Sequence, residues 1–313
     1  MASSVERKIY FYTIKVAKDG KHVNSLEHIF RHINELDYSL SPDGRILPID
    51  GGTDHMCMLL DSAKYPIRGM LGLIRKDALP LIFKEDTGDT SGIEIDPENE
   101  GLYEPIHFII WKLGNSHIIG VEYNFYGPRP QRISWYLQRV AREHVDRVIM
   151  QPIMRKDISS KLEKYDEIKI LKMRFNPNKS EIFRELDESL PDAINAIGKA
   201  TNSKDVYIVL KPDYRKRKGI LGIVPKQFKK ILGRGDVTDI FSLLQIKAKN
   251  IETGEFEWLD LLNELIVSKK TVTRLDIYRC VDSSDMFEKI KEAYYDHKDE
   301  IKEVIGINNV SRE

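Results

Sequence analysis

Residues 107–125 read HFIIWKLGNSHIIGVEYNF. Two runs rich in β-branched and aromatic residues, His107 to Leu113 and His117 to Phe125, flank Gly114-Asn115. The pattern predicts two antiparallel strands joined by a tight turn, because glycine and asparagine tolerate the positive φ that short hairpin loops need. A second hairpin is predicted from Phe241 to Lys249 and Glu255 to Leu261, around Glu252-Thr253-Gly254. Further strands are expected at Arg7 to Val16, His55 to Leu60, Ile67 to Arg75, Arg147 to Met154, Ile168 to Phe175 and Val206 to Leu210.

Helical spacing appears in four longer stretches, besides a short helix that Pro225 opens and Gly233 ends, with Phe228, Ile231 and Leu232 packing. Leu26, Ile29, Phe30, Ile33 and Leu36 form the first, with Asn24 or Ser25 as cap. Gln131 to Glu143 follows Pro130, and Ser180 caps a helix using Ile182, Phe183, Leu186, Leu190, Ile194 and Ile197. The last runs from Ser284 to Val304, with an apolar line through Phe287, Ile290, Tyr294, Ile301, Val304 and Ile305 that suits a homodimer contact. Strands that come in hairpins, with helices between the groups, favour α+β architecture over a doubly wound sheet. The expectation is antiparallel sheets built from hairpins with packed helices, in two lobes, 1–127 and 128–313. A boundary near 176–180 fits the pattern as well.

The 313 residues carry 49 Lys+Arg against 49 Asp+Glu. No apolar run is long enough for a transmembrane helix, so direct membrane insertion is not expected. The first residues lack the apolar stretch of a signal peptide. Cys57 and Cys280 are too few for a disulfide framework, and a reducing cytoplasm is the expected setting. The zero net charge is a sum over unlike parts. Residues 1–127 hold 13 Lys+Arg and 19 Asp+Glu, residues 128–234 hold 25 and 13, and residues 235–313 hold 11 and 17. The middle block is therefore +12 between flanks of −6 each, a local field that neutrality of the whole does not cancel. An acidic stretch over residues 85–104, with Gly88, Gly92, Pro97 and Gly101, reads as an exposed loop. It is either solvated surface or a phosphate mimic that covers the basic region.

Two constellations carry the basic charge. On the helix after Pro130, Ile133, Leu137, Val140 and Ala141 share the face to be buried. Arg132, Trp135, Arg139 and Arg142 share the opposite face, with Arg129 just before the helix. Arginines interleaved with an aromatic suit phosphates and stacked bases. The second constellation is Lys211, Arg215, Lys216, Arg217 and Lys218, followed by Lys226, Lys229, Lys230 and Arg234. Charge of this density points to polyanion contact through counterion release, without reading of base edges. Both constellations also fit ordinary solvated surface, and the second fits a docking surface for an acidic protein.

Enzymatic signals are weaker. Glu167 and Lys169 have the Glu-x-Lys spacing of metal-dependent nucleases of the PD-(D/E)xK kind, with Asp157 as the nearby second acid. That makes a metal-dependent nuclease an alternative, and a protein-interaction module a third reading. His55 and Cys57 share one strand face but lack two further ligands for zinc. No catalytic residue, metal site or cofactor is predicted.

The order of segments resembles a known family. The strand HIIGVEYNFYGP at 117–128 runs into a helix, followed by RVIMQPIMR at 147–155, VYIVLKPDYRK at 206–216, LQIKAK at 244–249 and a charged C-terminal helix. This collinear series, over residues 106–305, is similar to the RexA family of phage-exclusion proteins from lambdoid phages. The resemblance implies a homodimeric α+β protein that binds double-stranded DNA with little sequence preference and acts in anti-phage defence. It also implies a membrane-protein partner encoded nearby. It carries over no catalytic residues.

Overall fold

The computed structural model describes residues 3–49, 53–77, 79–96, 98–155, 157–203, 205–212, 220, 223–234, 236–275 and 278–306. The chain begins with β1 (Ser4–Lys18), β2 (Lys21–His22), α1 (Glu27–Glu35), β3 (Ile46–Pro48), β4 (His55–Ser62) and β5 (Ile67–Arg75). There follow β6 (Ile82–Phe83), β7 (Thr90–Ser91), β8 (Leu102–Leu113), β9 (Ser116–Tyr123), α2 (Arg132–Val140) and β10 (Arg147–Pro152). Next come α3 (Asp157–Glu163), β11 (Tyr165–Phe175), a 3-10 segment (Pro177–Glu185), α4 (Leu190–Thr201) and β12 (Val206–Leu210). The chain closes with α5 (Phe228–Leu232), α6 (Val237–Ile240), β13 (Phe241–Asn250), β14 (Phe256–Asp260), β15 (Val267–Thr273) and α7 (Ser283–Val304). The fold is α+β, with helices packed on antiparallel sheets. No helix of the described residues is long and apolar enough to cross a membrane.

Two compact units form. The first is Met1–Met150 with Ser268–Asp296, and the second is Gln151–Val267 with His297–Glu313. This division differs from lobes at 1–127 and 128–313. The side chains of Ile133, Tyr136, Leu137 and Val140 on α2 belong to the first unit's core. Both β10 and the late strand β15 join β1.

The first unit is built on a sheet with strand order β10-β1-β9-β8-β5-β4-β3. Successive residues of a strand face opposite sides. Ile106, Phe108 and Ile110 of β8 therefore pack with Phe30 of α1 and Leu137 of α2. Their neighbours His107 and Trp111 face α7, where His107 meets Phe287 and Trp111 stacks on Tyr294 at 4.0 Å between ring centroids. Gly120 on β9 permits this close approach. A Cβ there would lie 3.0 Å from Phe11, 3.1 Å from Ile290 and 3.2 Å from Trp111. Most of the apolar line at α7, the motive for expecting a homodimer, is thus spent inside its own chain: Phe287, Ile290, Tyr294 and Ile301 are buried, while Val304 and Ile305 are half-buried.

Helix starts also depart from expectation. α1 has Leu26 at its N-cap with no capping side chain of its own. The Leu26 amide instead donates to the Tyr65 hydroxyl at 2.8 Å, and the Tyr65 amide donates to Glu27. A tertiary partner thus replaces the cap expected from Asn24 or Ser25.

The second unit holds an antiparallel sheet of order β12-β11-β13-β14. Leu171 and Met173 of β11, Leu244 and Ile246 of β13 and Leu259 of β14 bury one face against Phe183, Ile194, Phe228 and Ile231. The single helix expected beyond Ser180 is divided into the 3-10 segment and α4. Pro191 lies inside that expected helix, where it removes an N–H donor and clashes with the preceding turn. In the structure it sits in the first turn of α4, where both defects are harmless.

Candidate nucleic-acid interface

Helix α2 ends at Val140, short of the expected Glu143, so it carries Arg132, Trp135 and Arg139 of the expected outer face and Arg142 lies just beyond it. Tyr136 anchors the inner face: fully buried, its hydroxyl donates to the Arg45 carbonyl and accepts from the Met58 amide. With the helix so fixed, Trp135 is half-buried against the core. The Arg132 and Arg139 guanidinium carbons lie 4.9 and 4.1 Å from Trp135 ring centroids. Arg132, Arg139 and Arg142 are exposed and have no carboxylate within ion-pair range among the described residues. Arg129 is less free. It is half-buried, with its guanidinium 5.0 Å from the Tyr123 ring centroid and 5.8 Å from that of Phe125.

The basic segment of the second unit is less open than its composition implies. Lys229 pairs with Glu163 at 2.9 Å, Lys230 with Glu185 at 3.4 Å and Arg234 with Asp236 at 3.0 Å. These acids come from α3, from the 3-10 segment and from the turn before α6, so only folding brings the first two to the lysines. Lys211 and Lys226 are exposed. Arg215, Lys216, Arg217 and Lys218 lie outside the described residues. The contrast between basic and acidic thirds also softens in the folded chain. Counted by compact unit, the first holds 24 Lys+Arg and 27 Asp+Glu, and the second 25 and 22.

The acidic stretch is exposed, and a small hairpin of β6 and β7 brackets its start. Its turn at Asp96 is held locally: Asp96 accepts from Asn99 and Glu98, which lowers its pKa. Among the described residues no acid of this stretch pairs with the arginines of α2. Glu104, by contrast, lies on β8 and is nearly buried.

For the nuclease alternative, Lys169 lies with its Nζ 4.8 Å from the Phe256 ring centroid, Glu167 is on the same strand, and Asp157 opens α3. No three His, Cys, Asp or Glu side chains gather as a metal site among the described residues. Cys57 is buried, which pushes its thiol up to about 11, and burial lowers the pKa of His55.

Sequence reasoning missed the uncovered face of the second unit's sheet. There the Lys172 ammonium lies 4.3 Å and that of Lys247 6.0 Å from Trp258 ring centroids. The signal was present as alternation: Gln245, Lys247 and Lys249 interleave with Leu244, Ile246 and Ala248. It also missed a buried polar chain in the first unit, where Arg7, Glu122, His107 and Ser283 meet. Searches against protein-family models and curated proteins return no match for this chain.

Proposed function

We propose that this protein binds double-stranded DNA with little sequence preference and acts in phage exclusion from the cytoplasm. The observation that carries the DNA reading is the outer face of α2. Two exposed, unpaired guanidinium groups frame a half-buried indole on a helix anchored by Tyr136. A planar guanidinium with all its donors free matches phosphate oxygens, and such contacts position a protein on DNA without reading sequence. The exclusion role is supported by the collinear RexA-like segments. The homodimer and the membrane-protein partner encoded nearby rest on that resemblance alone.

The test is a salt titration of binding to duplexes of unrelated sequence. Affinity should fall steeply with salt and vary little among duplexes. Each phosphate contact removed should flatten the logarithmic slope by about 0.9. Absence of duplex binding at about 50 mM salt, where electrostatic affinity is strongest, defeats the reading. Phage plating on cells that express the wild type or the Arg132→Ala/Arg139→Ala variant tests the biological role.

A further inference from the structure

The uncovered face of the second unit's sheet is not an ordinary solvated one. Its register stacks side chains in rows: Arg174 beside Tyr207, Lys172 beside Val209 and Gln245, Lys247 beside Trp258, and Lys249 beside Phe256. Tyr207 is 56% and Trp258 46% exposed, so two large rings meet water with no helix of the described residues over them. The lysines Lys169, Lys172, Lys247 and Lys249 have no carboxylate partner among the described residues. Two acids at the strand ends are already engaged, while Asp166 and Glu167 open β11. Asp205 holds Arg174, while Asp260 accepts from Gln245 and the Leu262 amide.

We infer that this face is a stacking platform for single-stranded DNA. The choice of DNA rests on the function proposed above; the preference for a single strand rests on the platform. In a duplex the base faces are hidden inside the helix, so exposed rings among lysines have nothing to stack on. A single strand offers bases for the rings and phosphates for the ammonium groups together. Four strands span about 14 Å, room for several nucleotides crossing the sheet. The lysines now resting on Trp258 and Phe256 occupy the ring faces that bases would take, and they swing to phosphates when bases arrive. An acidic peptide fits less well, because it satisfies the lysines but leaves Trp258 and Tyr207 uncovered.

The test measures fluorescence anisotropy of labelled oligo(dT) of about 15 nucleotides on the full chain, beside a duplex of equal length. Trp258→Ala should weaken oligo(dT) binding roughly 5- to 100-fold, the range expected for loss of one base stack. Trp258→Phe should retain most of the affinity, and Lys172→Glu with Lys247→Glu should abolish it. Circular dichroism of each variant should match the wild type, since these side chains lie outside the buried core. Duplex binding should be unchanged by Trp258→Ala and weakened by Arg132→Ala. Equal oligo(dT) affinity of the wild type and Trp258→Ala overturns the platform, as does competition by polyglutamate as strong as by oligo(dT). A clear preference for oligo(U) overturns the assignment to DNA. Duplex binding without oligo(dT) binding removes this inference and leaves the proposed function standing. Oligo(dT) binding that depends on Trp258, without duplex binding, does the reverse.

Discussion

His107 Nδ1 lies 2.6 Å from Glu122 Oε2, and each side chain is 1% exposed. The two face each other across the β8–β9 hairpin, one step beyond the Phe108–Val121 pair. Arg7 Nε is 2.9 Å from the other Glu122 oxygen, near enough for charge attraction but off the line of a hydrogen bond. His107 Nε2 reaches the Ser283 hydroxyl at 2.8 Å, at the start of α7. The order Ser-His-Glu is that of a nucleophilic triad. Here Arg7 balances the carboxylate and the imidazole is sealed under α7, so the expected role is to tie that helix to the sheet. Glu122→Ala should cost about 3–5 kcal/mol, because it strands the largely buried Arg7 guanidinium. Ser283→Ala removes the hydrogen bond to His107 and a weaker one to the Met70 sulfur, and should cost about 1 kcal/mol. Urea denaturation of the two variants measures both, and equal costs would contradict this account.

His117 should set part of the acid sensitivity. Its ring is buried, stacks on Tyr65 and has no hydrogen-bond partner for either nitrogen among the described residues. Burial first, then Lys112 and His22, lower its pKa from 6.5 to about 4. Unfolded chains therefore take up a proton below about 6.5 that the folded state refuses until about 4. Stability should fall as the pH drops through that window. His117→Phe should flatten this loss. Urea midpoints measured from pH 7 to pH 4 in both proteins give the comparison.

The α2 arginines and the α5 lysines should behave differently towards duplex DNA. Arg139→Ala should reduce affinity and flatten the salt slope by about 0.9. Lys229→Ala and Lys230→Ala should each have smaller effects, since Glu163 and Glu185 already compete for these ammonium groups. Their stability costs should stay below about 1 kcal/mol, as for exposed pairs generally. Salt-titrated anisotropy on the three variants decides the ranking.

Gly120 should tolerate no bulk. The gap between Phe11, Trp111 and Ile290 is already tighter than ordinary contact for an added Cβ. Gly120→Val should destabilise by about 1–3 kcal/mol through overpacking, and Gly120→Ala by less. Thermal unfolding orders the two variants.

Local features were legible because their causes are local. The Gly114-Asn115 and Thr253-Gly254 turns, the extent of β5 and β12, and the arginine face of α2 each follow from residues within one element. What failed was non-local. The cap of α1 comes from Tyr65, and the lysines of α5 meet acids on other elements. Pro191 was the exception, a local breaker whose veto on a continuous helix from Ser180 was in plain view.

The amino-acid sequence by itself determined the α+β class, the hairpins and which side of each strand is apolar, because alternation and turn chemistry act over a few residues. Tertiary structure decided which charges remain free. It paired Lys229 and Lys230 with acids, set Lys172 and Lys247 beside Trp258, and left Arg132 and Arg139 with no carboxylate among the described residues. It also brought Ser283 to His107 across 176 residues of chain. The physical reason is range. A side chain's periodicity is set by its neighbours in sequence, whereas its electrostatic partner and its solvent exposure are set by whatever the fold places within a few ångströms of it.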